Sequence, residues 1–130
     1  MITEDFVSFA IAKLLKEKGF DIPLLTFYIT DKEKKEGDFQ TMAFTDDKID
    51  NNYSDLCYLA PTHQRAMKWL RTVHNISIEP FVDFGSGDEH WWTADISYIK
   101  KDGLIDELCG YNSYEEAAEA ALKYTLENLI

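Results

Sequence analysis

The chain has 130 residues, 45% of them hydrophobic and 14% aromatic, and its 13 basic and 24 acidic side chains give a formal charge of -11. This length fits one domain that can bury a core without disulfide or metal support, and the apolar content excludes a largely disordered chain. The negative charge repels phosphate backbones and anionic membranes, which argues against nucleic-acid and membrane binding. Two interpretations stay open: the charge serves only solubility, or it mimics a nucleic acid and so attracts a basic partner.

The first residues and the cysteines favour a cytoplasmic protein. Met1 to Asp5 is acidic where a secretory signal would be basic, and no apolar run approaches the length of a membrane span. Cys57 and Cys109 are far apart and form no CxxC motif. This spacing favours two reduced thiols, and a disulfide stays open as an alternative if the fold brings them together.

The first half of the chain predicts one helix and one hairpin. Apolar residues at helical spacing predict the helix, with Thr3 as its N-cap and Gly19 at its end. The acidic, asparagine-rich connector after the hairpin has the composition of a calcium loop, but it lacks the turn glycine and the closing glutamate. The predicted helix, two strands and connector span residues 3–18, 23–30, 39–45 and 46–55.

The second half predicts a helix, three strands and a last helix. Pro61 suits the first position of a helix, and Ala66, Trp69, Leu70 and Val73 form its apolar face. Alternation predicts strands over residues 76–84, 92–99 and 104–109, with Pro80 marking an edge strand or a bulge and Gly110 ending the third. A capping box at Ser113–Glu116 opens the last helix.

The element order is therefore α-ββ-α-βββ-α, which predicts an α+β fold: an antiparallel sheet with helices packed mainly on one face. We expect a single domain over residues 1–130. Residues 1–58 supply a helix, a hairpin and a loop, and residues 59–130 form an α-β-β-β-α unit.

Two features are candidate partner-binding sites. Arg65, Lys68 and Arg71 recur every three residues as a basic stripe, which is either a solvated helix face or a docking surface for an acidic partner or a second copy of the chain. Trp91 and Trp92 are adjacent on a strand and so face opposite sides of the sheet. By alternation Trp92 belongs to the core, whereas Trp91 is either covered by the N-terminal elements or anchors a partner.

The sequence supports neither an enzyme nor a cofactor site. His63, His74 and His90 share no metal-binding spacing, and no cysteine lies in a nucleophile signature. The glycines of Gly85–Gly87 lie between two strands and are followed by two acidic residues, so they do not form a phosphate-binding loop. We expect no metal and no cofactor.

Several short pieces resemble a family of small proteins carried by phages and mobile elements of gut anaerobes: Ala60–Thr62, Lys68–Arg71 with Val73–His74, Tyr111–Ala117 and Leu129–Ile130. The resemblance implies a mobile-element origin and brings no mechanism. The α-β-β-β-α order also resembles a double-stranded-RNA-binding domain, but Glu115 and Glu116 stand where that family needs lysines. Residues 92–129 are similar in topology to antitoxins of the HicB type.

These observations together predict a non-enzymatic interaction or accessory module that binds another protein or itself. An acidic inhibitor that mimics nucleic acid, or an antitoxin-like protein, is the first alternative. A metal-dependent enzyme is the second, and it rests on the histidines alone.

Overall fold

The computed structural model describes residues 5–30, 37–41, 54–101 and 103–130. Within them lie three helices and two antiparallel three-stranded sheets, which confirms the α+β class. The chain divides into two compact units, Met1–Thr62 and His63–Ile130, and each is described here by itself. The prediction of one domain over the whole chain stays a prediction.

The N-terminal unit contains one helix and one sheet. Helix α1 spans Phe9–Glu17, and strands β1, β2 and β3 span Thr26–Ile29, Asp38–Thr41 and Cys57–Leu59. The strand order is β2-β1-β3. Strand β3 was not predicted because its three residues are too few to show a period. The order within the described parts of the chain is thus α-βββ-α-βββ-α.

Helix α1 begins later than predicted. Its N-cap is Ser8, whose hydroxyl accepts a hydrogen bond from Ile11 N–H at 3.3 Å. The residues before it are extended because Phe6 bridges Thr62 and the Val7 N–H donates to the Pro61 carbonyl. The predicted cap Thr3 lies outside the described residues.

The end of α1 is as predicted. Gly19 has a φ of +87°, and the Phe20 N–H donates back to the Leu15 carbonyl at 2.9 Å. This bond satisfies a carbonyl that the last helical turn leaves free. The calcium-like connector over residues 46–55 lies outside the described residues, apart from its last two.

The C-terminal unit begins with helix α2, His63–Trp69, which continues as a π-helical turn over Leu70–His74. The predicted start at Pro61 is wrong, because the bridge at Thr62 and the bond to the Pro61 carbonyl keep the chain extended there. Val73 is 56% exposed, although it was predicted to belong to the apolar face. The π turn has more residues per turn than an α-helix, so it rotates Val73 away from the line of Ala66, Trp69 and Leu70.

Strands β4, β5 and β6 span Ile76–Phe84, His90–Tyr98 and Leu104–Tyr111, and helix α3 spans Tyr114–Asn128. Strand β4 lies at the edge of the sheet, as Pro80 predicted. Strand β6 runs through Gly110 rather than ending there. The pairing shifts between Trp92 and Thr93, so Gly110, with a φ of +92°, is the extra residue of a β-bulge.

Helix α3 packs against all three strands of this sheet and covers one of its faces. The predicted N-cap is present, because the Glu116 N–H donates to the Ser113 hydroxyl at 3.1 Å. The return bond of the predicted capping box is displaced by one residue, since the Glu116 carboxylate accepts from the Asn112 N–H at 2.9 Å. The side chains buried between helix and sheet are small or aliphatic, which lets the two layers approach closely. They are Ile76, Ile78, Ala94, Ile96, Ala117, Ala118, Ala121, Leu122 and Leu126.

Candidate functional site

The two faces of the β4-β5-β6 sheet differ in what they carry. Trp92 lies on the face under α3, where its ring meets Tyr114 edge-on with centroids 5.8 Å apart. Residues two apart along a strand share a face, so Trp91, Thr93 and Asp95 project from the opposite one. We call this opposite face the outer face. By register it includes Ser77, Glu79, Phe81, Asp83, Trp91, Thr93, Asp95, Ser97, Glu107 and Cys109.

Three carboxylates of the outer face lie in one row across the sheet. Asp95 on the central strand pairs directly with Glu79 on β4 and with Glu107 on β6. Neighbouring strands are about 4.8 Å apart, so the three charges lie close together. We call Glu79, Asp95 and Glu107 the acidic row. Glu79 and Glu107 are exposed and Asp95 is half-buried.

The row perturbs the ionisation of one of its members. The pKa of Glu107 is raised above its ordinary value, first by a side-chain hydrogen bond with Asp95, then by desolvation and by the negative charges of Asp95 and Asp83. A hydrogen bond between two carboxyl groups requires a proton on one of them. Glu107 and Asp95 therefore interact directly across the sheet.

Two polar atoms of the central strand lie buried beside the row without a hydrogen-bond partner among the described residues. They are Asp95 Oδ1 and Thr93 Oγ1. Thr93 is fully buried and projects from the same face as Asp95, two residues along the strand. Buried polar atoms in native proteins are nearly always hydrogen-bonded, so two unsatisfied ones on neighbouring positions of the same face mark a place where a polar partner is expected.

Trp91 lies farther along the same face, opposite Asp83 on β4. Its side chain is half-buried, and its ring edge would stand only 3.0 Å from a β-carbon placed on Gly85. The glycine thus leaves room for the indole beside the β4–β5 turn. Phe81, also half-buried, stands opposite Thr93. The outer face therefore combines carboxylates with two aromatic side chains.

The structure places the predicted basic stripe on another element. Arg65 and Lys68 are exposed on α2, and Arg71 is half-exposed in the π-helical turn. Helix α2 packs against α3, which lies on the covered side of the sheet. The stripe and Trp91 are thus carried by separate elements. They do not form one surface within the C-terminal unit.

The buried end of α2 carries a polar pair that the sequence did not indicate. His63 Nε2 lies 2.6 Å from Glu119 Oε2, and the imidazole is only 6% exposed. Beside it the Gln64 amide donates to the Tyr114 hydroxyl at 2.7 Å. Both contacts join α2 to α3, so they hold the two helices together. Spacing could not have revealed them, because the partners are 56 and 50 residues apart.

The remaining residues considered for metal or thiol chemistry do not converge. No group of three His, Cys, Asp or Glu side chains among the described residues is arranged to hold a metal ion. Cys57 is a buried free thiol and Cys109 an exposed one. Burial raises the pKa of Cys57, an effect that the charge of Lys16 partly offsets.

Comparison with protein-family models, with curated proteins and with solved structures found no match to this chain. The described helices include none that is both long enough and apolar enough to cross a membrane.

The acidic row was missed by reasoning from the sequence, although part of its signal was present. Alternation already placed Glu79 and Asp83 on one side of β4, and Asp95 on the side of β5 away from the predicted core. Counting outward from the five-residue turn at 85–89 pairs Phe84 with His90, and so Glu79 with Asp95. The pairing of Asp95 with Glu107 could not be counted, because β6 carries two register shifts.

Proposed function

We propose that the chain is a protein-interaction module whose outer face binds a basic segment of a partner protein. The observation that carries the proposal is the acidic row, in which Glu79, Asp95 and Glu107 are directly opposite one another on three adjacent strands. Like charges in such positions destabilise a sheet. A cationic partner turns that cost into favourable contacts.

Two further features support a protein partner. Trp91 is half-buried at the end of the face, so part of its side chain is accessible, and tryptophan is enriched among the residues that dominate binding energy at interfaces. The net charge of -11 attracts a basic protein from a distance and repels nucleic acid. The mobile-element setting stays a prediction from the resemblance.

The test measures binding of a fluorescein-labelled peptide that alternates glycine with arginine and lysine, using fluorescence anisotropy and the full chain. We expect micromolar affinity at low salt, and a loss of about tenfold or more when Glu79→Gln, Asp95→Asn and Glu107→Gln are combined, because the attracting charges are then absent.

The matched control removes three carboxylates elsewhere. Glu17, Asp88 and Glu127 are all exposed and none belongs to the outer face. Glu17→Gln, Asp88→Asn and Glu127→Gln together change the net charge by the same amount. This control variant should bind within about twofold of the natural chain. If both triple variants lose affinity equally, the peptide senses net charge alone and the proposed site is wrong.

A second candidate function is inhibition of a basic nucleic-acid-binding protein by mimicry. The same row favours it, because strands about 4.8 Å apart set carboxylates at a regular short spacing. On this hypothesis the chain displaces duplex DNA from a linker histone. If the chain does not displace DNA but still binds the basic peptide, the hypothesis of mimicry is wrong and the hypothesis of an interaction module is kept.

A further inference from the structure

We infer that the outer face anchors its partner through an arginine guanidinium, which is held between Thr93 and Asp95. The inference rests on the proposed function and narrows it, because it names the group that the face recognises. The acidic row alone attracts any cation. The neighbouring buried acceptors are what distinguish one cation from another.

The place between Thr93 and Asp95 holds two polar atoms whose hydrogen-bonding capacity is not used within the described residues. Thr93 is fully buried, and neither its Oγ1 nor Asp95 Oδ1 has a hydrogen-bond partner in the described parts of the chain. The Asp95 carboxyl also shares a hydrogen bond with Glu107, which raises the pKa of Glu107, so Oδ1 is the oxygen of Asp95 that remains without a donor. A cationic group with more than one N–H donor can serve this oxygen and the Thr93 hydroxyl together.

A guanidinium meets this requirement better than an ammonium. It presents five N–H donors in a rigid plane, so one head group can serve the Asp95 carboxylate and a second acceptor together. An ammonium is a compact point charge that keeps its water more strongly. Phe81, opposite Thr93, offers an aromatic side against which a planar cation packs favourably.

The two acceptor atoms lie below the surface, so the guanidinium reaches them only after side chains on the face rotate. Glu107 and Cys109 are exposed on β6, and Phe81 is half-exposed on β4, so the flanks of Thr93 and Asp95 are partly open to solvent. Rotamer changes of this kind are common when interfaces form. The backbone of the sheet does not need to move.

The test compares three labelled peptides on the full chain, in which glycine alternates with arginine, with lysine or with citrulline. We expect the arginine peptide to bind about tenfold tighter than the lysine peptide, the order of one hydrogen bond to a charged group. Citrulline keeps the shape of the side chain without the charge, and it should not bind measurably.

Thr93→Val removes the hydroxyl acceptor with little change of shape. It should weaken arginine binding about tenfold and leave lysine binding unchanged, whereas Ser97→Ala on the same strand should change neither. If Thr93→Val does not fold, the ratio of the affinities of the natural chain for the arginine and lysine peptides still tests the guanidinium site. Equal binding of both peptides overturns the guanidinium site and leaves the interaction module standing. Binding of neither peptide overturns the interaction module itself.

Discussion

The two faces of the β4-β5-β6 sheet differ in whether their side chains stabilise the fold. Under α3, Ile96 on the central strand is fully buried, among small and aliphatic side chains. One residue away, Asp95 lies between Glu79 and Glu107, an arrangement that opposes sheet stability. The covered face is thus explained by folding alone, whereas the outer face carries a destabilising arrangement that the proposed binding of a partner would offset. Sites where a sequence breaks a local rule are the places to look for function.

Ile96→Ala should have the largest effect on the covered face. It removes a fully buried side chain from the centre of the sheet, and large-to-small changes of this kind cost about 3 kcal/mol. Urea denaturation should show this loss with little change in the slope. A loss below about 1 kcal/mol would mean that the contact with α3 is not the core of this unit.

The neighbouring tryptophans separate the two roles most sharply. Trp92→Ala should lower the free energy of unfolding by about 2 kcal/mol, because the ring packs against Tyr114. Trp91→Ala should change stability less and weaken binding of the basic peptide about tenfold. Paired denaturation and anisotropy measurements check both variants. If Trp91→Ala lowered stability more and Trp92→Ala weakened binding more, the proposed roles of the two faces would be wrong.

Asp95→Asn should stabilise the chain by about 0.5 kcal/mol at low salt, because it ends the repulsion with both cross-strand neighbours. The gain should shrink in about 1 M salt, where charges are screened within roughly 3 Å. Thermal unfolding at the two salt concentrations checks this. A destabilised variant at both concentrations would show that the carboxylate supports the fold.

The pH dependence should show a smaller effect from Glu107. Its pKa is raised in the folded chain, first by the hydrogen bond with Asp95, so folding favours its protonated form. The stabilising contribution is present below the ordinary pKa of glutamate and is lost as pH rises through the raised value. Glu107→Gln should therefore flatten the stability curve in that window. An unchanged curve would mean that no proton is shared in the row.

The fold was predictable where interactions between residues close in the sequence determine the local structure. Strand β4 alternates regularly, and Ser113 with Glu116 marks the start of α3. The predictions were wrong where contacts between residues far apart in the sequence, or an irregular helical turn, determine the local structure. Thr62 bridges Phe6, which shortens both flanking helices, and the π turn moves Val73.

The candidate site was predictable only in part, for the same reason. Alternation on β5 identified Trp91 as a side chain of the outer face, and the basic stripe followed from its spacing. The acidic row depends on register across three strands, and the bulge at Gly110 offsets β6 in a way that no pattern within β6 reveals.

The most direct test of the central claim is a residue-by-residue map of where the basic peptide binds. The arginine peptide would be titrated into isotope-labelled full chain and followed by amide and indole NMR signals. We expect the amide signals of Thr93, Asp95 and Glu107 and the indole signal of Trp91 to shift together, while the indole signal of Trp92 does not shift. Shifts confined to α2 and α3, with the Trp91 indole unmoved, would contradict it.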